Sequence, residues 1–218
     1  MPSILPFTRE QFLAVFAAYN QAIWPAQIVA YVLGLLAVWL TVRRGRSSWP
    51  VVAAILAAMW AWNGVAYHLA YFSPINRAAI GFGVLFCVQA LLLLIPLRGG
   101  GRVEPVSGVR RWLGLGLIGY AMAVYPLAGL LAGETYPALP MFGVAPCPLT
   151  LFTFGLLLLT FKRRARYLLA VPMIWSLIGG SAAILLAVPQ DWLLLVSGLA
   201  VLALAIRPPR PAAMTAPA

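Results

Sequence analysis

The residues best suited to chemistry lie in the stretch MWAWNGVAYHLAY, from Met59 to Tyr71, which contains the chain's only histidine. As a helix, this stretch carries its polar and bulky aromatic groups on one face, at Trp60, Asn63, Gly64, Tyr67, His68 and Tyr71. Such groups hydrogen-bond to solutes and stack on planar ligands. Because an unpaired amide or imidazole is costly in hydrocarbon, we expect this face to point into the protein.

Other polar groups fall at the same predicted depth, and we predict that they line one pocket in the outer half of a helix bundle. The predicted substrate-binding residues are Gln27, Trp60, Asn63, Tyr67, His68, Asn76, Tyr125, Cys147 and Thr150. Prolines loosen helices, so we predict gating at Pro25, Pro146 and Pro148. We expect hydrogen-bond donors and no acid in this pocket, which favours a small uncharged solute or an anion.

Several of these residues also have a purely structural interpretation. Tryptophan and tyrosine are common at membrane interfaces whatever the function. Asn63 is also suited to bridging two helices, His68 to a buried structural role, and Cys147 to filling a small apolar space. The alignment of the polar groups on one face favours the functional interpretation.

The residue inventory argues against most catalytic and cofactor chemistry. The one lysine, Lys162, lies in a basic cluster, so a retinal Schiff base inside a helix is not expected. One histidine is too few for a zinc site or a bis-histidine haem. The four acids all fall in predicted loops or in the predicted interfacial helix, so paired catalytic carboxylates are not expected. We predict no metal, no cofactor and no catalytic residue. Capture of a soft cation or haem by His68 with Cys147 stays as an alternative.

The composition is that of a membrane protein. The 218 residues are 63% hydrophobic and 9% charged, with a mean hydropathy of +0.96, whereas soluble domains carry about 25% charged residues. Apolar runs long enough to cross a bilayer recur along the chain. We predict an all-α polytopic fold whose transmembrane domain, 21–206, has seven spans at about 21–42, 50–72, 76–97, 111–132, 141–161, 166–187 and 190–206.

The two ends of the chain differ from the spans. Thr8 and Gln11 have the spacing of a capping box, and Phe12, Val15, Phe16 and Tyr19 then fall on one helical face. We therefore predict a short amphipathic helix at the membrane interface within residues 1–20. The alternative is that these residues form the first turns of a long first span. Residues 207–218 are predicted to be a disordered cytoplasmic tail.

The placement of positive charge predicts the orientation. Thirteen of the fifteen basic residues fall in alternate loops or in the C-terminal tail, and only Arg9 and Arg77 fall on the other side. By the positive-inside rule the N-terminus lies outside and the C-terminus in the cytoplasm. We interpret the basic excess as a topology signal with affinity for anionic lipid, and we expect no nucleic-acid binding.

The first and fifth predicted spans align without a gap. The matches include Pro25 with Pro146, Tyr31 with Phe152, Gly34 with Gly155, and Arg43 with Arg164. The pattern predicts a parallel repeat of three spans, one linker span and three spans, with a site at the repeat interface. The alternative is the general similarity of leucine-rich helices.

Three segments, LPFTREQFLAVFAAYNQAIWPAQ, GVAYHLAYFSPIN and APCPLTLFTFG, resemble a bacterial inner-membrane family catalogued as a domain of unknown function. The likeness covers nearly the whole chain and implies no activity or residue roles. The arrangement of the spans also resembles that of PQ-loop and sugar-efflux type transporters. Here Pro25 and Gln27 are separated by Ala26 instead of forming a contiguous Pro-Gln pair.

Together these features predict a small transporter or solute-binding permease of the bacterial inner membrane. The expected partners are membrane lipid and a small-molecule solute, with a homo-oligomer or a partner membrane protein as a further option. A non-transporting accessory or sensor subunit is the alternative from a different class. A soft-metal or haem-binding redox protein is the third hypothesis, and an enzyme is not expected.

Overall fold

Helices form most of the chain in the computed structural model, which describes residues 5–43, 48–95, 108–160 and 163–206. Within these ranges there are eight helices and no strand, which confirms the predicted all-α class. The helices are α1 (Arg9–Ala22), α2 (Ala26–Arg43), α3 (Ser48–Phe72), α4 (Ala79–Leu94), α5 (Val109–Leu131), α6 (Pro146–Thr160), α7 (Ala170–Leu185) and α8 (Trp192–Ile206). Short 3₁₀ helices, Arg163–Leu169 and Pro189–Asp191, precede α7 and α8.

Each of the seven segments predicted to be spans overlaps one of the helices α2 to α8. Four helical stretches are long and apolar enough to cross a membrane: Ala26–Arg43, Ser48–Phe72, Val109–Leu131 and Arg166–Leu185. Three further apolar helices are shorter, at Ala79–Leu94, Pro146–Thr160 and Pro189–Leu204. The four long helices indicate a membrane protein.

Some predictions concern residues outside the described ranges. The predicted disordered tail, 207–218, is one of them. Much of the charge pattern is another, because seven basic residues also lie there: Arg44, Arg46, Arg98, Arg102, Lys162, Arg207 and Arg210.

The N-terminal helix α1 begins with the predicted capping box. The Gln11 backbone N–H donates to Thr8 Oγ1 at 3.2 Å, and the Thr8 backbone N–H donates to Gln11 Oε1 at 2.8 Å. These two bonds satisfy donors that a helix start otherwise leaves unpaired. A turn at residues 23–25 separates α1 from α2, so α1 is not the first turns of α2. Its location at a membrane interface stays a prediction.

Buried hydrogen bonds join α1 to the loop that precedes α6. The Tyr19 hydroxyl donates to the Val144 carbonyl at 2.9 Å, and Asn20 Nδ2 donates to the Pro137 and Leu139 carbonyls at 2.7 and 2.8 Å. The Asn20 carbonyl in turn accepts from Gln27 Nε2 at 2.8 Å. These bonds fix α1 and the loop relative to each other at one end of the bundle.

Two helices widen into π-helix at that same end. The π segments are Asn63–Phe72 in α3 and Tyr120–Val124 in α5. The Ser73 N–H, for example, donates to the His68 carbonyl at 3.0 Å, five residues back. π-helix is rare and is frequently found at functional sites. The hydrophobic pattern predicted α-helix at both places, because side-chain periodicity does not report one extra residue in a turn.

Glycines let the helices below this end approach closely. A Cβ atom on Gly64 would lie 2.9 Å from the Gly83 carbonyl oxygen and 2.9 Å from Cys87 Sγ. The backbones of α3 and α4 can meet only because Gly64 has no side chain. This contact brings the next turn of α3, which carries His68, against α4.

Candidate functional site

The polar face of α3 points into the protein, as the sequence predicted. Trp60, Asn63 and His68 have no exposed surface, and Tyr67 is 1% exposed. On the opposite face, Trp62 and Val65 are exposed, which is the side expected to meet lipid. The helix therefore has one inner and one outer side, and no polar group of the inner side is left in an apolar solvent.

Two residues of this face, Trp60 and Asn63, make hydrogen bonds that connect α3 to α6 and to the loop before it. Trp60 Nε1 donates to Thr153 Oγ1 at 3.0 Å, and its ring packs on Phe86 with centroids 4.4 Å apart. Asn63 Nδ2 donates to the Met59 and Gly143 carbonyls, both at 2.9 Å. Asn63 thereby fixes the tight turn that leads into α6, where Gly143 has a φ of +76°.

His68 lies in a cage of aromatic rings. Its ring centroid is 4.6 Å from that of Phe86 and 5.0 Å from that of Trp175. Three more rings complete the cage, those of Tyr67, Phe72 and Phe82. Neither ring nitrogen has a hydrogen-bond partner, and neither does the nearby Trp175 Nε1.

A cavity of about 300 Å³ lies beside this cage, where α1, α7 and the ends of α3, α5 and α6 meet. Most of its wall is apolar. The segment at residues 5–16 contributes Leu5, Phe7, Phe12 and Phe16, and α7 contributes Trp175, Ile178, Gly179, Ser181, Ala182, Ala183 and Leu185. The polar side chains in the wall are Tyr67, Asn76, Tyr125, Cys147, Ser181 and Asp191.

The cavity contains an acid, so the prediction of a pocket without acids was wrong. Asp191 lines the wall with 4% of its surface exposed. Its Oδ1 accepts a hydrogen bond from the Tyr125 hydroxyl at 2.6 Å, and the Cys147 thiol lies near the same carboxyl group. The tight turn after α7 folds the chain back, so Asp191, the last residue of the short 3₁₀ helix before α8, faces the bundle instead of solvent.

The predicted site residues fall into two groups. Tyr67, Asn76, Tyr125 and Cys147 line the cavity, and so does Pro146, the first residue of α6. The others do not line it: Gln27, Trp60, Asn63, His68, Thr150, Pro25 and Pro148. Gln27 Nε2 donates to the Asn20 carbonyl, and the Thr150 hydroxyl donates to the Pro146 carbonyl. A direct role of this second group in binding or gating stays a prediction.

Sequence reasoning missed Asp191, Trp175 and the phenylalanines of the N-terminal segment. The available signal for Asp191 was a single acid in a tight turn between two apolar helices. A turn this short keeps the acid close to the bundle, and acids at such places are often functional. Phe12 and Phe16 share a helical face in the sequence. Only the fold shows that this face covers a cavity.

An ion pair fixes α1 over the cavity. Arg9 Nη2 lies 3.0 Å from Glu134 Oε1, and Gln190 Nε2 donates to Glu134 Oε2 at 2.8 Å. Gln190 precedes Asp191, so one polar chain runs from α1 through the loop after α5 to the cavity wall. Glu134 itself is 4% exposed.

Burial raises the pKa of the Glu134 carboxyl above its ordinary value of 4.5, although Arg9 and Gln190 oppose this by stabilising the charged form. Just above pH 4.5 the folded protein therefore keeps the Glu134 proton that the unfolded chain loses. This extra bound proton stabilises the folded state, and the stabilisation is lost as the pH rises through the pKa of the folded protein. We expect Glu134→Gln to remove that part of the pH dependence. The unfolding midpoints of wild type and variant from about pH 4 to about pH 7 measure this pH dependence. Wild type should lose stability relative to the variant as the pH rises, and a relative gain would contradict the raised pKa of Glu134.

Across the described residues, no three or more His, Cys, Asp and Glu side chains come together to hold a metal ion. Trp175 lies between His68 and Cys147, the two groups of the soft-cation hypothesis, since its ring packs on His68 and its side chain is a near neighbour of the Cys147 thiol. The geometry at this end is that of a mostly apolar cavity with one carboxyl group among its described lining residues.

Comparison with known proteins places the whole chain in one family. No curated protein and no solved structure matches it. One family model does match, and it extends from α1 through every helix described above. The chain belongs to DUF6064, a family of unknown function, whose model covers residues 9–215.

Proposed function

We propose that this protein is a membrane-embedded solute-binding permease that takes a small, largely apolar molecule into the cavity between α1 and α7. The cavity of about 300 Å³ is the observation that carries the proposal. Small-molecule sites in proteins have volumes from about 300 to 1,000 Å³ and mostly apolar walls with a few polar groups. This cavity is at the small end of that range and therefore fits one compact molecule.

The aromatic wall supports an apolar body for the ligand. Tyr67 stacks on Phe16 and on Phe72, with centroids 4.8 and 5.5 Å apart, and Phe7 meets Phe72 at 5.2 Å. These rings hold one another in place before any ligand arrives. A preformed wall lowers the entropic cost of binding.

The position of the cavity supports entry from the side of the bundle. Its wall includes Ile178, Ser181 and Leu185, which are exposed on the outer face of α7. If the bundle lies in a membrane, that face meets acyl chains. A solute dissolved in the lipid then reaches the cavity without crossing water, and α1 with its Arg9–Glu134 pair forms the cover on the other side.

For topology, we propose seven spans, an N-terminus outside, a cytoplasmic C-terminus and insertion in a bacterial inner membrane. The overlap of α2 to α8 with the seven apolar segments and the basic alternate loops support this orientation. Alkaline phosphatase fused to the C-terminus should then be inactive, and a fluorescent protein fused there should fluoresce. An active phosphatase fusion would mean that the C-terminus lies outside and would contradict the proposed orientation.

The parallel repeat is also part of the proposal. Gly34 and Gly155 hold matching places in α2 and α6, and each meets a neighbour that leaves no room for a Cβ atom: the Phe142 ring for Gly34 and the Gly114 carbonyl for Gly155. The two neighbours are not equivalent positions, so the support for a repeat is the glycine at the same crowded place in both helices.

A binding-only role is the second candidate, and the core beneath the cavity favours it. Trp60, Phe86 and Phe154 have no exposed surface, so large side chains fill the described part of the bundle at this level. A solute in the cavity would have to displace such side chains to cross the bundle. An accessory or sensor subunit needs only the binding step.

Filling the cavity should abolish binding. Ala182 lines the cavity on α7, whereas Ile184 on the same helix is exposed and does not line it. We expect Ala182→Trp to weaken binding of any cavity ligand at least about tenfold, because an indole ring takes up the space that the ligand needs. Ile184→Trp should bind as wild type does. Thermal shifts of the purified proteins across a panel of small apolar and amphipathic compounds measure this.

Equal thermal shifts of wild type and Ala182→Trp with every compound would mean that the compounds do not bind in this cavity. For compounds that do bind, uptake into proteoliposomes separates the two candidate functions. Flux above that of the Ala182→Trp protein supports a permease. Binding without flux supports an accessory or sensor subunit.

A further inference from the structure

The carboxyl group in the cavity wall has no positive partner among the described residues. The two polar groups beside it, the Tyr125 hydroxyl and the Cys147 thiol, are neutral. In the described part of the chain, no lysine, arginine or histidine lines the cavity. Arg9 is paired with Glu134, and Arg77, which follows the lining residue Asn76, is exposed and does not line the wall. Asp191 is therefore a buried acid whose charge the cavity wall does not balance, and buried charges are costly unless they are paired.

The rings around the cavity suit a positive charge with an apolar body. Phe82 and Trp175 meet edge to face with centroids 5.4 Å apart, and both line the cavity together with Tyr67 and Phe72. Aromatic faces attract ammonium groups, most strongly when water is excluded. The Tyr67 hydroxyl makes no hydrogen bond to the described part of the chain and is free to accept one from a ligand.

A metal cation does not suit the same wall. Hard cations such as Ca²⁺ take about six to eight oxygen ligands, and here one carboxyl group stands among mostly apolar side chains. An organic ammonium ion needs only one or two acceptors for its charge and apolar contacts for the rest of the molecule.

We propose that the cavity binds a small amphipathic amine, with the ammonium group paired to Asp191 and the apolar body packed against Phe72, Phe82 and Trp175. This inference rests on the proposed function and names its ligand class. It replaces the expectation of a neutral or anionic solute, which depended on a pocket without acids. Tyr125 acts as a positioning residue, because its hydroxyl holds Asp191 Oδ1.

The test compares two probes of nearly equal shape, 4-phenylbutylamine and 4-phenyl-1-butanol, by calorimetric titration of the purified full-length protein in one detergent. Only the amine is charged at neutral pH. We expect it to bind wild type at least about tenfold more tightly than the alcohol, which is the effect of one charge-assisted hydrogen bond. Asp191→Asn keeps the shape of the side chain and should remove this preference while alcohol binding changes less than about twofold. Asp191→Glu should keep the preference.

The Ala182→Trp protein separates failure of this inference from failure of the proposed function. If both probes bind wild type equally, or if Asp191→Asn keeps the preference for the amine, while Ala182→Trp blocks both, the amine inference is wrong and the cavity remains a binding site. If neither probe binds wild type better than Ala182→Trp, the proposed function fails with it. The wild-type comparison alone decides the charge preference even if Asp191→Asn does not fold.

Discussion

Trp60→Ala should lower the free energy of unfolding by about 3 kcal/mol. Trp60 is fully buried, packs on Phe86 and donates to Thr153 Oγ1 at 3.0 Å. Its removal leaves a large empty volume directly beneath the cavity. In soluble proteins Trp→Ala costs about 3–5 kcal/mol, and we expect the lower end because lipid tails remove part of the water-transfer contribution.

Two variants separate the causes of this loss. Trp112 on α5 is 71% exposed, so Trp112→Ala should change stability by less than about 0.5 kcal/mol. Trp60→Phe keeps most of the packing and removes the N–H donor, which should cost about 1 kcal/mol. Denaturation with increasing SDS in mixed micelles, followed by circular dichroism, measures all three variants. Equal loss in Trp60→Ala and Trp112→Ala would mean that Trp60 is not in a packed core.

Gly155→Ala should destabilise the protein by about 2 kcal/mol. A Cβ atom there would lie 2.7 Å from the Gly114 carbonyl oxygen and 2.7 Å from Ile118 Cγ1. Both atoms belong to α5, and the first is backbone, which cannot rotate away. The methyl group must therefore push α5 and α6 apart along a contact that depends on small residues.

The control for this variant carries the same chemical change. A Cβ atom on Gly116 of α5 would meet nothing within 4 Å, so Gly116→Ala should be neutral or stabilising by up to about 1 kcal/mol, the helix propensity difference. The two variants should thus differ in sign under the same SDS denaturation. A Gly155→Ala protein as stable as Gly116→Ala would contradict the close approach of α5 and α6.

Gly155→Ala should also weaken amine binding. Tyr125 on α5 hydrogen-bonds to Asp191, and Cys147 on α6 lies near the same carboxyl group. Separating the two helices moves Tyr125 relative to this carboxyl group, and hydrogen bonds weaken steeply outside their normal geometry. The packing below the cavity and the chemistry in its wall are therefore coupled through the same pair of helices.

Local patterns in the sequence were sufficient for the elements. Apolar runs predicted the positions of α2 to α8, because burial or lipid contact of a whole helix requires continuous apolar sequence. The spacing of Thr8 and Gln11 predicted the start of α1, since a capping box depends only on residues three apart. The spacing of Trp60, Asn63 and His68 predicted the inner face of α3, which has no exposed surface at these positions.

The site needed more than local patterns. Asn63 and His68 were correctly expected to face inward, yet neither lines the cavity. Periodicity gives the direction in which a side chain points and not what it meets there. Asn63 meets the Gly143 carbonyl, eighty residues away in sequence. His68 meets Trp175 on α7, a ring that no spacing within α3 predicts.

The sequence by itself thus determined the helical class, the apolar segments and the buried face of α3, because these depend on the composition and order of neighbouring residues. The tertiary structure decided which end of the bundle holds a cavity, that α1 covers it, and that Asp191 is its acid. Each of these depends on contacts such as Arg9 with Glu134, 125 residues apart, and Tyr125 with Asp191, 66 apart. Such contacts exist only after the helices have packed, so no local pattern records them.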